Sequence, residues 1–202
     1  MSELWTYERE AWAEGYEVVC GVDEAGRGPL AGPVCAAAVI LPHNLDIPGL
    51  DDSKKLSDKR RRELFPVIQE QAIAYAIAFA DEKEIDEINI LQATFLAMQR
   101  AIDGLAIKPE FALIDGNREK DFGLPVETVV QGDSRSASIA AASILAKVTR
   151  DDYMLKMAEK YPQYGFEIHK GYGTKAHYAA LEAHGVCPIH RMTFLKKFYG
   201  TK

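Results

Sequence analysis

Four acidic residues in this chain each follow an apolar run at a point where that run ends. Asp23 and Glu24 follow VVCGV, Asp115 follows FALI and precedes Gly-Asn, and Asp133 stands between VVQG and an alanine-rich stretch. Converging carboxylates raise one another's pKa, and a divalent cation removes that repulsion. Their oxygens are ligands that Mg²⁺ and Mn²⁺ prefer. If one sheet brings these strand ends together, the pattern predicts a metal site suited to phosphodiester hydrolysis, with two ions about 4 Å apart.

Each acid also has a purely structural interpretation. Asp115 before Gly-Asn is typical of a turn, and Asp133 or Ser134 is a suitable helix N-cap. Asp23 and Glu24 can be solvated acids of a loop. The metal hypothesis therefore depends on all of these acids meeting at one place.

Composition narrows the class of protein. The chain has 202 residues and a net charge of -6, with ordinary apolar and charged fractions for a globular protein. No segment approaches the roughly 18 apolar residues of a membrane helix, and the N-terminus lacks the apolar core of a signal peptide. The three cysteines are scattered, without a CxxC pair. These features predict a cytoplasmic protein without a membrane partner. Nothing in the sequence suggests an obligate interface, so a monomer is expected.

Positive charge is concentrated in two segments. From Lys170 onward the chain contains six Lys and Arg residues and a single acid, Glu182. Four of the five histidines lie in or beside this tail. The second segment is KKLSDKRRR, residues 54–62. Both can be solvated faces or local phosphate-binding patches, and composition does not choose between them.

Hydrophobic periodicity predicts five strands and several helices. The strands are GYEVVCGVDE, GPVCAAAVILP, AIAYAIAFA, FALID and PVETVVQ, and the first two are joined through glycine-rich AGRGPLAG. The helices run from a Ser57 cap to about Gln71, through the apolar residues from Ile85 to Leu105, from about Ser134 to Tyr161, from Thr174 to Ala183, and near the C-terminus. This order predicts an α/β fold, a mixed five-stranded sheet flanked by helices.

Eight motifs together resemble those of bacterial ribonuclease HII. In chain order they are DEAGRGPLAGP, DDSKKLS, NILQATFLAMQRAI, LIDGN, GDSRSASIAAASILAKVTRD, YPQYGF, HKGYGTKAH and PIHRMTF, and they extend from about Val18 to Phe194. The resemblance implies an RNase H-like fold with a C-terminal helical segment. It implies one catalytic domain over residues 1–202, in which residues from about 165 to 202 form part of the nucleic-acid-binding surface.

The resemblance also implies an active, metal-dependent endonuclease. Its metal ligands and catalytic residues are Asp23, Glu24, Asp115 and Asp133, holding two Mn²⁺ or Mg²⁺ ions with substrate bound. The implied partners are RNA–DNA hybrids and DNA duplexes containing single ribonucleotides. Cleavage on the 5′ side of the ribonucleotide leaves a 3′-hydroxyl and a 5′-phosphate.

Further residues match family positions that bind substrate. Gly26, Arg27 and Gly28 match a ribonucleotide-sensing motif, in which glycines let the backbone approach a sugar closely and backbone groups read its 2′-hydroxyl. Tyr172 matches a tyrosine that stacks against the neighbouring deoxyribose. In isolation, Gly-Arg-Gly is equally a tight loop and a lone tyrosine is more often a core residue.

Several basic residues are predicted to contact phosphates. They are Lys170, Lys175 and Arg191 in the tail, and Lys54 and Lys55 in the other basic segment. One departure concerns Gln131, where many family members have Lys just before Gly-Asp. This change leaves the metal ligands in place, and we expect it to weaken phosphate contact or to shift metal preference.

Three other functions compete with this interpretation. The histidines of the tail (His169, His177, His184 and His190) could run a metal-free attack by the 2′-hydroxyl that leaves cyclic phosphate ends. The others are a non-catalytic nucleic-acid-binding module and a nuclease of the same fold that cuts DNA alone. The complete acid set argues against the module, and the intact sugar-sensing motifs argue against the DNA nuclease.

Strand geometry adds one expectation about the first acid pair. Adjacent residues of a strand point to opposite faces. Asp23 and Glu24 can therefore serve one ion only if the strand breaks its pleat there, or if Glu24 also uses its backbone carbonyl.

Overall fold

The computed structural model describes residues 4–51, 53–118 and 120–200. Its centre is one five-stranded sheet in the order β3-β2-β1-β4-β5. β2 pairs antiparallel with β1 and β3, whereas β4 pairs parallel with β1 and β5. The predicted mixed sheet is therefore confirmed. The strands are β1 Val19–Ala25, β2 Val34–Ile40, β3 Ala74–Ala80, β4 Phe111–Asp115 and β5 Val126–Val129.

Helices cover both faces of this sheet and form the C-terminal segment. Those described are α1 Thr6–Ala13, α2 Asp58–Gln71, α3 Glu82–Asp103, α4 Ala137–Lys160, α5 Phe166–His169, α6 Lys175–His184 and α7 Lys196–Tyr199. None of the helices in residues 4–51, 53–118 and 120–200 combines the length and apolar character needed to cross a membrane.

The two central strands are apolar because both of their faces are covered. Cys20 and Val22 of β1 pack on the side of α3, with Ile85 and Met98. Cys35 and its alternate neighbours on β2 pack on the side of α4. A strand buried on both faces reads as a continuous apolar run rather than an alternating one. This explains VCAAAVI.

Gly21 sets how closely α4 approaches the sheet. A Cβ built on Gly21 would lie 2.2 Å from the backbone carbon of Ser138, near the start of α4. Only a residue without a side chain fits between these two backbones. The helix therefore lies directly on β1, alongside the end of the strand that carries Asp23.

The start of α4 differs from the prediction. Asp133 and Ser134 lie in a preceding 3₁₀ turn, Gly132–Ser134, and Ser136 is the N-cap. The Ser136 hydroxyl accepts a hydrogen bond from the amide of Ile139 at 3.2 Å. The capping role that the sequence offers to Asp133 or Ser134 is therefore taken by Ser136, three residues after Asp133.

The N-terminal helix α1, which the sequence analysis did not predict, is hydrogen-bonded to the start of α4. Glu8 of α1 is buried, and its carboxylate accepts hydrogen bonds from the Ser136 hydroxyl at 2.6 Å and the Ser138 amide at 2.9 Å. These bonds satisfy donors at the N-terminus of α4. They tie residues outside the recognised motifs to the segment that follows Asp133.

The long helix α3 is interrupted near its start. Asn89 has a φ of 67°, and its side-chain oxygen accepts hydrogen bonds from the amides of Leu91 and Gln92. Asparagine tolerates the left-handed conformation and caps a helix well. The apolar periodicity continues across Asn89, so the sequence predicts one helix. Because Asn89 caps a second helical piece, α3 consists of two pieces instead.

The C-terminal segment packs against the far end of α4. Its apolar cluster joins Leu30 and Ala31, which follow β1, to Met154 of α4 and to Phe166, Leu181 and Ile189. The loop between β1 and β2 is thus part of the same cluster as the chain's last 40 or so residues. This contact places the AGRGPLAG loop between the sheet edge and the tail.

Candidate active site

The strand register brings the predicted acids to one edge of the sheet. Val22 of β1 stands opposite Ile114 of β4 in a parallel pair, so the next residues, Asp23 and Asp115, leave neighbouring strands in the same direction. After β5 the chain turns back through Gly132, whose amide donates a hydrogen bond to Asp115 Oδ1 at 2.7 Å. The expectation that three strand ends meet is confirmed by this geometry.

A cleft of about 220 Å³ opens at this edge. Three of the acids line it, and Asp133 is joined to it through Lys54, whose ammonium donates to Asp133 Oδ2 at 2.8 Å. Asp23 and Asp133 are almost fully buried, at 3% and 2% exposure. The lining residues are Asp23, Glu24, Ala25, Gly26, Arg27, Gly28, Ser53, Lys54, Asp115, Ser143, Lys147, Arg150 and Tyr172.

The electrostatics of the cleft favour a bound cation. Burial raises the pKa of Asp23 well above its ordinary value, and the charges of Glu24 and Asp115 raise it further. Burial also raises the pKa of Glu24, opposed by the guanidinium of Arg27 and reinforced by Asp115. Crowded carboxylates of this kind are stabilised in their charged form by a positive ion.

Lys54 supplies one positive charge to the group of acids at the cleft. Burial lowers the pKa of its ammonium, but the hydrogen bond and charge of Asp133 outweigh that effect and raise the pKa overall. In the part of the chain that the structure describes, no three or more His, Cys, Asp or Glu side chains are grouped as a formed metal site. The donor chemistry nevertheless fits Mg²⁺ or Mn²⁺, because Asp23, Glu24 and Asp115 supply carboxylate oxygens at the cleft.

The strand does not break its pleat between Asp23 and Glu24, which is one of the two expected ways in which both acids could serve one ion. β1 stays paired with β2 through Ala25, opposite Cys35, so the pleat continues past both acids. The register with β4, however, ends at Val22. Beyond that point one side of β1 is open, and side chains from both faces line the cleft.

The Gly-Arg-Gly loop borders the acids. Gly26 has a φ of 95°, and a Cβ there would lie 1.9 Å from Arg150 Nε. A Cβ on Gly28 would instead meet the ring of Tyr172 at 3.5 Å, an ordinary contact distance. Arg27 is exposed and donates to Glu24 Oε1 at 3.4 Å. The structure thus brings the three loop residues and Tyr172, which is 45% exposed, to the same cleft.

The prediction that Arg191 contacts a phosphate is contradicted by its burial. Its side chain is fully buried, and its guanidinium donates to the carbonyls of Gly32, Arg27 and Gly26 at 2.8, 2.9 and 2.6 Å. A group enclosed by these backbone oxygens supports the loop from behind. A lone arginine in a basic tail gives no signal of this inward orientation.

The other predicted phosphate-binding residues lie at the surface. Lys170 adopts a left-handed conformation, its ammonium donates to the Glu167 carbonyl, and its own carbonyl accepts from Arg150. Lys175 is exposed at the first turn of α6, and Lys55 pairs with Asp51. Gln131 is exposed and left-handed, with a φ of 57°.

Three tail histidines are buried rather than presented to a substrate. Cys187 N–H donates to His190 Nδ1 at 2.9 Å, His190 Nε2 and His177 Nε2 are 3.0 Å apart, and His177 Nδ1 is 2.9 Å from the Tyr172 carbonyl. The first bond makes His190 Nδ1 an acceptor, so His190 donates to His177, which donates to Tyr172.

The neighbouring His169 is also buried, and its Nδ1 accepts from the Gly171 amide. Burial lowers the pKa of His177, and burial and the charge of His177 lower that of His190 to about 4. The histidine-based mechanism is therefore wrong for these three residues, whose rings lie outside the cleft lining. Their hydrogen bonds hold the backbone on either side of Tyr172.

Sequence reasoning missed the polar residues that α4 and the loop before α2 contribute to the cleft. Ser143, Lys147 and Arg150 of α4 line it, and Ser53 Oγ is 2.6 Å from Ser143 Oγ. The available signal was their spacing of four and three residues inside an alanine-rich helix, which places them on one face.

The family model of ribonuclease HII matches residues 20–197 of this chain. The ribonuclease HII of Endomicrobium trichonymphae is 58% identical over 195 residues, covering 96% of this chain and 92% of the relative. This chain belongs to the ribonuclease HII family. The membership confirms the predicted family and a ribonuclease H-type hydrolase, and it supports ribonuclease H activity on RNA–DNA hybrids.

Solved structures place this ribonuclease HII family member in the same fold as its relatives. The ribonuclease H2 of Pyrococcus horikoshii OT3 superposes with a TM-score of 0.74 at 28% identity, covering 92% of this chain and all of that one. Bst-RNase HIII in complex with Mn²⁺ gives a TM-score of 0.61 at 21% identity, covering 87% of this chain and 65% of that one. The predicted RNase H-like fold is confirmed.

Proposed function

We propose that this chain is an endoribonuclease that hydrolyses the phosphodiester on the 5′ side of a ribonucleotide. Its substrates are RNA–DNA hybrids and single ribonucleotides embedded in duplex DNA, and its products carry a 3′-hydroxyl and a 5′-phosphate. The observation that supports this most is one cleft that holds three of the four acids, Asp23, Glu24 and Asp115, next to the loop of residues 26–28 and Tyr172.

Asp23, Glu24, Asp115 and Asp133 would hold two divalent ions, Mn²⁺ or Mg²⁺, once substrate is bound. Such ions supply an activated water and stabilise the departing 3′ oxygen. The donor set supports the proposal, because it contains only carboxylates, and so do the raised pKa values of Asp23 and Glu24. A phosphate oxygen of the substrate would complete the ligand set.

The loop residues would identify the sugar. A 2′-hydroxyl both donates and accepts hydrogen bonds, so backbone groups can distinguish ribose from deoxyribose. Gly28 presents no side chain, and Tyr172 stands beside it with its ring partly exposed. The tyrosine would stack on the adjacent deoxyribose and favour cutting at a junction from RNA to DNA. Arg27 is exposed at the cleft and would hold a neighbouring phosphate.

The surrounding surface would follow the duplex backbone. Residues from about 165 to 202, with Lys170 and Lys175, would form one side of this surface, and Lys54 and Lys55 would form the other. We propose that residues 1–202 act as one catalytic domain and as a monomer in the cytoplasm.

One assay tests the proposal directly. Two labelled duplexes are compared, one with a single ribonucleotide and one of DNA alone, each with Mn²⁺, Mg²⁺ or chelator. The expected result is metal-dependent cutting 5′ of the ribonucleotide in the first duplex only, with 3′-hydroxyl and 5′-phosphate ends. Equal cutting of both duplexes, or cyclic phosphate ends that survive chelation, would overturn it.

A further inference from the structure

Two arginines far apart in sequence meet behind the Gly-Arg-Gly loop. Arg191 donates to the carbonyls of Gly26, Arg27 and Gly32. Arg150 of α4 donates to the carbonyls of Pro33, Ala31 and Lys170 at 3.0, 3.1 and 3.1 Å. Between them they hold residues 26–33 and connect that loop to the backbone two residues before Tyr172.

These arginines are paired with main-chain oxygens instead of acids. Both are buried, at 1% and 0% exposure, and no carboxylate of the described residues lies within ion-pair distance of either. Burial, together with the charge of Arg150, lowers the pKa of Arg191 to about 9. Burying a charge is costly unless hydrogen bonds satisfy it. The loop carbonyls supply that compensation, so guanidinium and loop stabilise each other.

The same bonds determine which way the loop amides point. In a planar trans peptide the C=O and N–H groups point in opposite directions. The peptide carbonyls of Gly26 and Arg27 point at Arg191, so the amides of Arg27 and Gly28 point away from it. Arg27 and Gly28 line the cleft, and Arg191 is not among its lining residues. The bonds to Arg191 therefore turn these two amides away from the buried guanidinium, on residues that border the cleft.

We propose that Arg191, supported by Arg150, is a positioning residue for ribose recognition, which orients the amides of Arg27 and Gly28 without touching the substrate. This inference rests on the proposed function, because it takes the loop to be the reader of the 2′-hydroxyl. Lysine cannot replace either arginine, since an ammonium lacks the planar fork that spans several carbonyls.

The test measures binding instead of cleavage, in an Asp115→Asn background that is expected not to cut. Affinities for the single-ribonucleotide duplex and the all-DNA duplex are measured by fluorescence anisotropy in Mg²⁺, and their ratio is the ribose preference. Adding Arg191→Lys should lower this ratio by about 3- to 10-fold, as expected when one or two hydrogen bonds lose alignment. The affinity for all-DNA duplex should change less than about 2-fold, because the exposed phosphate contacts are intact.

Arg100→Lys is the matched control. Arg100 also donates to a main-chain carbonyl, that of Phe79, but it lies on α3 away from the cleft. The control should leave the ribose preference unchanged. A thermal melt checks that each variant is folded at the assay temperature. If Arg191→Lys is unfolded at that temperature, Arg150→Lys provides a second measurement of the same affinity ratio.

The outcomes separate the inference from the function beneath it. If the Asp115→Asn protein binds both duplexes equally, the proposed ribose reading is wrong. If that protein prefers the ribonucleotide and folded Arg191→Lys keeps the full preference, the positioning role is wrong. A preference that falls equally in the Arg100→Lys control would also contradict it, since the effect would then be general.

Discussion

The two halves of the cleft are held in place by different means. The acids leave adjacent strands of one sheet, and hydrogen bonds of the ladder set their separation. The Gly-Arg-Gly loop leaves the sheet at Ala25 and is held by side chains that come from 117 to 165 residues later in the chain. The first half follows from backbone pairing between strands, and the second depends on side chains of α4 and of the tail.

Under the proposed function, this difference separates chemistry from substrate choice. A change among the acids should stop hydrolysis while leaving the Gly-Arg-Gly loop in place. A change in the loop or its supports should alter which sugar is accepted, or the stability of the tail, while the acids stay in register. Each variant below acts on one half and is measured against the other.

Asp115→Asn should have the largest effect. The amide removes a negative charge from the centre of the acid group, and we expect cleavage to fall by at least about 10³-fold. Substrate affinity should change little, because the loop and basic residues are untouched. Single-turnover cleavage and binding to the ribonucleotide duplex measure the two properties. Substantial residual cleavage would contradict the role of the acids.

Gly26→Ala and Gly28→Ala test the loop as a pair. At Gly26 the new Cβ would meet Arg150 at 1.9 Å with a φ of 95°, and we expect a loss of roughly 3 kcal/mol or more in the free energy of unfolding. At Gly28 the space is open to the Tyr172 ring, so we expect less than about 1 kcal/mol.

Cleavage should nevertheless fall in folded Gly28→Ala, by about 10- to 100-fold, because its methyl group would displace the sugar. Chemical denaturation and cleavage of the single-ribonucleotide duplex measure the two effects. Wild-type cleavage by Gly28→Ala would mean that the backbone is not approached closely there.

The buried histidines should make the tail sensitive to acid. The pKa of His190 is about 4 in the folded protein, against an ordinary value of 6.5. Between these values the unfolded chain binds more protons, so this contribution to stability is present above pH 6.5 and is lost as the pH falls toward 4. Asp23 and Glu24, whose pKa values are raised, titrate with the opposite sign.

The comparison is therefore made between variants. His190→Asn should flatten the pH dependence of the unfolding free energy between pH 6.5 and 4 by up to about 1.4 kcal/mol per pH unit. His184→Gln, on an exposed residue, should keep the wild-type slope. Equal slopes in all three proteins would show that His190 does not titrate differently on unfolding.

Lys54→Gln should have the smallest effect, because its side chain is 75% exposed. We expect cleavage to fall by about 3- to 10-fold and the dependence of log affinity on log salt to lose about one unit of slope, as for one lost phosphate contact. Lys160→Gln, at the far end of α4, is the control. An unchanged salt slope would mean that Lys54 pairs with Asp133 but does not contact a phosphate of the substrate.

Local patterns predicted the acid half of the cleft well. Asp23 and Asp115 follow the apolar runs of β1 and β4, and these strands pair in one sheet, so their meeting follows from strand order. The same patterns assigned Arg191 to a phosphate, because a buried arginine and an exposed one look alike in sequence. Asn89 inside α3 and Ser136 at the start of α4 show the same limitation, since competition between nearby capping residues is decided by tertiary packing. Glu8 was missed because its partners lie about 130 residues away.

Gly21 has a consequence for how much the cleft floor can change. Where two backbones touch without an intervening side chain, the spacing between helix and sheet does not depend on rotamers. Elsewhere in the core a larger or smaller residue shifts that spacing gradually, but here no replacement gives an intermediate distance. The backbone of α4 at Ser143 and Lys147 consequently lies at a fixed distance from the sheet, next to the end of β1. Variation along α4 can thus alter what the cleft presents without altering how deep it is.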